Sequence, residues 1–200
     1  MTKSPSPIYA LLQRDKTFTV GEAAQAGVSR QQLANYHKQG VVERLGRGLY
    51  SPPGLAVSPY LDIEQLAKKQ SEFVVCLLSA LRLHNFTTQS PQSLWIAIPH
   101  GARLPTLDFG TLACVRLTPA PYEYGAESHD AYGVRVKVYS AAKTVADCYK
   151  FRNKIGADVA LEALREGHRR KLFTIAELMA AAKVCRVEKV ITPHVECLFS

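Results

Sequence analysis

The chain has 200 residues, 47% of them hydrophobic, and a formal net charge of +8. That length suits one large domain or two small ones. It holds neither an apolar run of about 18 residues, as a membrane span needs, nor a secretory leader with a long apolar core and a cleavage site, so a cytoplasmic protein is expected. The charge is uneven: residues 1–58 carry seven Lys and Arg against three Asp and Glu, residues 59–139 seven against seven, and residues 140–200 eleven against seven. Both ends are therefore basic, as contact with a polyanion requires.

In chain order, Ser6 and Pro7 read as an N-cap and first helical residue. Ile8, Leu11 and Leu12 follow at i, i+3, i+4. Thr19 and Glu22 fit a capping box, and the short helix behind them stops at Gly27. Ser29 and Gln32 fit a second box, and the next helix runs from about Arg30 to Gln39 before Gly40. Helix, glycine-containing turn, helix is the helix-turn-helix layout. At about 100° per residue, Leu33 and Tyr36 face inward while Gln31, Asn35 and Lys38 lie near the opposite face, with Arg30 in the first turn. Gln and Asn can bond base edges in pairs, and Arg reads guanine or phosphate.

A polar outer face is also what any exposed helix presents. The next segment, "VVERLGRGLY", shifts the balance: it reads as a hairpin with Arg47 between Gly46 and Gly48, and a hairpin straight after a second helix is a wing. Residues 1–54 are thus expected to be a winged helix-turn-helix DNA-binding domain, with Arg44 and Arg47 on phosphate or in the minor groove.

The proline-rich "SPPGLAVSP", at residues 51–59, reads as a linker to a second domain over residues 60–200. Ile63, Leu66 and Ala67 line a helix, and Phe73 to Leu83 is expected to be a more buried one. "LWIAIP", "LACVRLT" and "VRVKVYS" read as strands over 94–99, 112–118 and 134–140. From Ser140 the chain turns helical, with Ala142, Val145, Ala146 and Tyr149 at helical spacing, a third capping box at Thr174 and Glu177, and Pro193 interrupting the end. The fold class expected is α+β: a winged helix, then a small sheet with a helical end.

Candidate chemistry is thin. A restriction-type metal site would use Asp108 and Lys137, but Arg135 fills the slot where a second carboxylate is needed, and Mg²⁺ takes oxygen ligands. No phosphate-binding loop or nucleophile elbow occurs. Cys76, Cys114, Cys148, Cys185 and Cys197 form no C-x-x-C pair and mostly sit in apolar stretches. They read as reduced, buried thiols, not as a zinc or disulfide framework. His100 reads as a strand-ending turn, His84 as a hydrogen-bonded, half-buried residue and Trp95 as core. No enzyme activity, metal or cofactor is expected. "HRRK", at residues 168–171, is either a set of cations favouring a helix C-terminus or a contact patch for an acidic partner or RNA. Its Arg169, Arg170 and Lys171 are candidate contacts.

The string "SALRLHNFTTQSPQSLWIAIP", Ser79 to Pro99, resembles the central signature of the AbiEi-type antitoxins of bacterial type IV toxin–antitoxin systems. "RLGRGLY", "SAAKTVADCYKFRNKIGADVALEALRE" and "FTIAELMAAAKVCRV" resemble companion pieces in the same order, from about Tyr9 to the terminus. The resemblance implies a winged helix that binds inverted repeats in its own promoter, and a second domain that counters a nucleotidyltransferase-like toxin without needing a stable complex with it. It implies double-stranded DNA as partner, no membrane, and a monomer or a dimer assembled on DNA. The alternative is a winged-helix transcription factor that responds to a ligand or protein signal and has no antitoxin activity.

Overall fold

A computed structural model of the chain describes residues 7–46, 48–55, 61–69, 72–86, 91–107, 110–131 and 134–198. It is a mixed α and β structure with two small sheets and a helical end. The chain divides into two compact units, Met1–Asp62 with Leu107–Gly110, and Ile63–Thr106 with Thr111–Ser200.

The first unit runs α1 (Pro7–Leu12), β1 (Phe18–Thr19), α2 (Val20–Gln25), α3 (Arg30–Lys38), β2 (Glu43–Gly46) and β3 (Leu49–Ser51). Both capping boxes form. Thr19 N–H donates to the Glu22 carboxylate at 2.7 Å and Glu22 N–H returns to the Thr19 hydroxyl at 3.2 Å. Ser29 and Gln32 do the same at 2.8 and 3.3 Å. Each box satisfies backbone donors that a helix start leaves open. The expected cap at Ser6 lies outside the described residues. Ile8, Leu11, Phe18, Ala23, Val28, Leu33, Val42 and Tyr50 form the core. The sheet has the order β1-β3-β2 and is antiparallel. Strand β1 is an addition to the sequence reading, because two residues cannot show an alternation. It is held by pairing of Phe18 with Tyr50, whose rings stack. Ser51 and Pro52, read as linker, are buried.

The second unit begins with α4 (Leu61–Lys69), which straddles the boundary, and continues through β4 (Val74–Val75), α5 (Leu77–Leu83), β5 (Leu94–Pro99), β6 (Leu112–Leu117), α6 (Pro119–Glu123), β7 (Ala126–Ala131) and β8 (Val134–Tyr139). The helical end is α7 (Ala141–Lys150), α8 (Arg152–Ile155), α9 (Ala157–Arg169), α10 (Ile175–Cys185) and α11 (Glu188–Glu196). The sheet order is β6-β5-β4-β8-β7. β5 and β6 are parallel, as are β4 and β8, while β4 with β5 and β7 with β8 are antiparallel.

Two expectations are corrected and one strand is added. Phe73 to Leu83 is not one helix: Val74 and Val75 form the central strand, and the chain turns at Leu77, φ 47°, into α5. A short apolar run suits a buried strand as well as a buried helix. The sheet gains β7, a polar edge strand with no apolar alternation to announce it. Pro193 lies inside α11 and does not end it. The third capping box forms as read, with Thr174 N–H on Glu177 at 2.7 Å and Glu177 N–H on Thr174 at 3.2 Å.

Helix α7 is enclosed all round: every residue from Ala142 to Tyr149 is buried. Two of these are charged. Lys143 is 0% and Asp147 1% exposed, and Lys143 Nζ donates to Asp147 Oδ2 at 2.5 Å. The ammonium lies 4.0 Å from the centroid of the Tyr139 ring, and Cys185 Sγ donates to the other carboxylate oxygen at 3.3 Å. Gly125 makes room for the pair: at φ 69° it brings its backbone so close that a Cβ would meet Lys143 Cβ at 2.9 Å. Burial raises the Asp147 pKa, and the Lys143 ammonium partly offsets this. Removing one partner of a buried pair strands the other charge and costs about 3–5 kcal/mol, whereas replacing both with apolar groups of similar volume is often neutral. Lys143→Met is therefore expected to destabilise the fold by about 3–5 kcal/mol in urea unfolding, and Lys143→Met with Asp147→Leu by much less. Equal losses from the single and double variants would contradict this.

Candidate nucleic-acid interface

Helix α3 is nine residues long, and its apolar side is narrow. Leu33 is fully buried and Tyr36 half-buried, while Arg30, Gln31, Asn35 and Lys38 are all exposed. The four residues singled out in sequence thus share the solvent side of one rigid element. Gln32 is exposed as well, but its side chain is committed to the cap. The Ser29 box fixes where the helix begins and so which residues fall in its first turn. His37, near its end, lies 3.3 Å from the Val42 carbonyl through Nδ1, a link from helix to hairpin that the sequence did not announce.

The hairpin follows directly. β2 and β3 pair antiparallel with a register shift between Arg44 and Gly46. Gly46 belongs to the strand, and Gly48, at φ 81°, is the glycine that takes the left-handed turn. The two glycines are therefore not equivalent. Arg47 lies outside the described residues. Arg44 is exposed and gives Nε–H to the Gly46 carbonyl at 3.1 Å, engaging one of its five N–H donors. Glu43 accepts from Gly54 N–H at 3.3 Å.

In the second unit, the basic run closes α9. Arg169 grips Glu166 through two hydrogen bonds of 2.9 and 2.6 Å. Arg170 donates to the Asn85 carbonyl at the end of α5. Lys171 follows the cap of α9 and is exposed. These three neighbours in sequence are thus in different states.

The remaining candidates are structural in their contacts. His84 Nε2 meets the Tyr139 carbonyl at 2.7 Å, and burial holds its pKa below the ordinary value. Trp95 packs against the core and its backbone N–H donates to Ser79 Oγ at 2.9 Å. His100 is exposed in the turn after β5. Arg135 and Lys137 are exposed on β8, and Asp108 lies outside the described residues. Cys76, Cys148 and Cys185 are buried, Cys114 is half-buried, and Cys197 is exposed, against the expectation of burial throughout. Burial raises the pKa of Cys76, Cys114 and Cys148, and pushes Cys185 up to about 12. These four are thiols at neutral pH, not nucleophiles.

Residues 6–53 match the model of a family described as transcriptional regulator, AbiEi antitoxin. The similarity to that family covers the N-terminal segment alone. The match spans α1 to β3 and ends short of the string at Ser79 to Pro99 that carries the resemblance in sequence. The crystal structure of the RV2827C protein from Mycobacterium tuberculosis resembles this chain in fold, with a TM-score of 0.52 and 15% identity over 91% of this chain and 82% of that one. No curated protein matches the chain. Among the described residues, no helix is long and apolar enough to cross a membrane, and no group of three His, Cys, Asp or Glu is placed to hold a metal ion.

The first unit leans on its Ser29 cap. Ser29→Ala is expected to cost about 1 kcal/mol in thermal unfolding followed by near-ultraviolet signal from the first unit. No loss would mean that the box does not set the start of α3.

Proposed function

We propose that the chain is a DNA-binding autorepressor that also acts as the antitoxin of a type IV toxin–antitoxin system. In this reading residues 1–54 are a winged helix-turn-helix and α3 is its recognition helix. The observation that carries the reading is the solvent side of α3, where Arg30, Gln31, Asn35 and Lys38 stand together on a capped helix followed by a hairpin. Gln31 and Asn35 are the base readers, since their amides can donate and accept at one base edge. Arg30 and Lys38 flank them on phosphate, and Arg44 and Arg47 of the wing add affinity and orientation, not sequence choice. The family match supports this, because it falls on these residues and names a transcriptional regulator.

Residues 60–200 are then the antitoxin domain, acting against a nucleotidyltransferase-like toxin. Arg169, Arg170 and Lys171 are the surface assigned to that role, with Lys171 foremost because both arginines already hold partners within the chain. The domain uses no cofactor, and the chain is a monomer or a dimer formed on DNA.

Binding to the DNA upstream of its own gene tests the first part. Gln31→Ala and Asn35→Ala are expected to narrow the preference for that DNA over unrelated sequence by about 1–3 kcal/mol each. Lys38→Ala and Arg47→Ala are expected to weaken all binding alike and lower the salt slope by about one. Parallel salt lines for parent and Arg47→Ala would rule out the wing contact. Co-expression with the toxin tests the second part: a chain with Gln31→Ala and Asn35→Ala is expected to lose repression and still protect the cell. Loss of both together would contradict the division of labour.

A further inference from the structure

We infer that Ala34 is a third base-reading position of α3, packing its methyl group against the C5-methyl of a thymine, an inference that rests on reading α3 as the recognition helix. Ala34 is the middle residue of the nine in that helix and is exposed. Its neighbours one turn away are Arg30 and Lys38, four residues off, and Gln31 and His37, three residues off. At about 100° per residue, with Arg30 at zero, Ala34 falls at about 40°, Lys38 at about 80°, Gln31 at about 100° and Asn35 at about 140°. The alanine thus lies inside the polar face, at mid-length, with longer side chains before and after it. His37 does not cover the spot from its side, since its Nδ1 is turned to the Val42 carbonyl at 3.3 Å.

An exposed alanine is ordinary on a helix, because alanine is the best helix former. Other alanines of the first unit serve its packing: Ala23 is in the core and Ala26 lies against it. Ala34 is on the opposite side, where only its place on the outward face gives its size a consequence. A helix with its side chains is about 10–12 Å across and the major groove about 12 Å wide. A helix seated there brings the middle of its outward face against the base edges. Long side chains toward the ends can splay to reach bases or phosphates, but the middle residue must be short for the helix to seat. Ala34 meets that requirement.

The chemistry then selects the base. A methyl group makes no hydrogen bond. Every base presents polar atoms in the major groove, and thymine alone adds an apolar group, its C5-methyl. The amino group of a cytosine or adenine pressed against Ala34 would lose water and gain no partner, which costs free energy. A thymine methyl in the same place gains apolar burial. Gln31 and Asn35 suit adenine, so the thymine expected is one beside an adenine that they contact.

The test measures binding of the full chain to the DNA upstream of its own gene, with each thymine of the stretch it protects from nuclease replaced singly by deoxyuridine, which lacks the methyl. Binding is expected to fall about fourfold at one or two thymines, the worth of burying one methyl group, and to be unchanged at the others. Ala34→Gly is expected to bind the thymine and uracil duplexes equally. Glycine also weakens the helix, but that cost is common to both duplexes and cancels in their ratio. Ala34→Leu keeps helix propensity and is expected to leave the thermal midpoint unchanged while weakening binding to the site by about tenfold through overpacking. Indifference to uracil at every thymine, a thymine advantage that survives Ala34→Gly, or parental affinity in Ala34→Leu would each overturn the contact. Those outcomes leave α3 standing as the recognition helix. No preference for the upstream DNA over unrelated sequence would overturn that reading itself, and the Ala34 contact with it.

Discussion

Lys143 and Asp147 lie one turn apart on α7 and are shut off from solvent. Taking two charges out of water costs several kcal/mol per ion, and only good mutual geometry with further hydrogen bonds offsets it. That requirement organises the second unit. The carboxylate needs the Cys185 thiol from α10 as well as the ammonium. The ammonium needs the Tyr139 ring from the end of β8, and Tyr139 is itself fixed by its hydroxyl on the Tyr122 carbonyl at 2.9 Å. The backbone at Gly125 must pass close by. Sheet, turn and helices are thus tied to one buried pair, and with α7 enclosed, α9 and α10 have set positions around it.

The same logic explains which surface features are available to a partner. Cations that stabilise the fold are already engaged: Lys150 Nζ donates to the Cys185 carbonyl at 3.0 Å, and Arg152 to the Tyr149 carbonyl at 2.8 Å. In the second unit, net positive charge therefore overstates the number of cations open to contact. In the first unit the solvent side of α3 is the opposite case. Its cap uses Ser29 and Gln32, which leaves Arg30, Gln31, Asn35 and Lys38 with no structural duty that the helix depends on.

Legibility in sequence follows the range of the physics. The three capping boxes join residues three apart, so Thr19 with Glu22, Ser29 with Gln32 and Thr174 with Glu177 are readable locally. β5, β6 and β8 announce themselves as apolar or alternating runs. β4 does not, because two valines inside a longer apolar run also suit a helix, and β7 does not, because an edge strand has little to bury. An Asp four residues from a Lys on a helix ordinarily marks a surface pair, so nothing local reveals that Lys143 and Asp147 are in the core. That depends on Tyr139, Gly125 and Cys185, which only the tertiary fold brings near. Likewise the engagement of Arg170 depends on Asn85, far away in the chain. The side chains of α3 were legible as a group because a helix face is a local property.

The central claim is that α3 reads bases in the major groove. Its most direct measurement is selection of bound duplexes from a random pool by the full chain, followed by replacement of each adenine of the enriched sequence with 7-deazaadenine. Adenine N7 is presented in the major groove, where Asn and Gln bond to it. The predicted result is a defined enriched sequence in which the replacement weakens binding at one or more adenines. No enrichment, or an enriched sequence indifferent to every replacement, would contradict it.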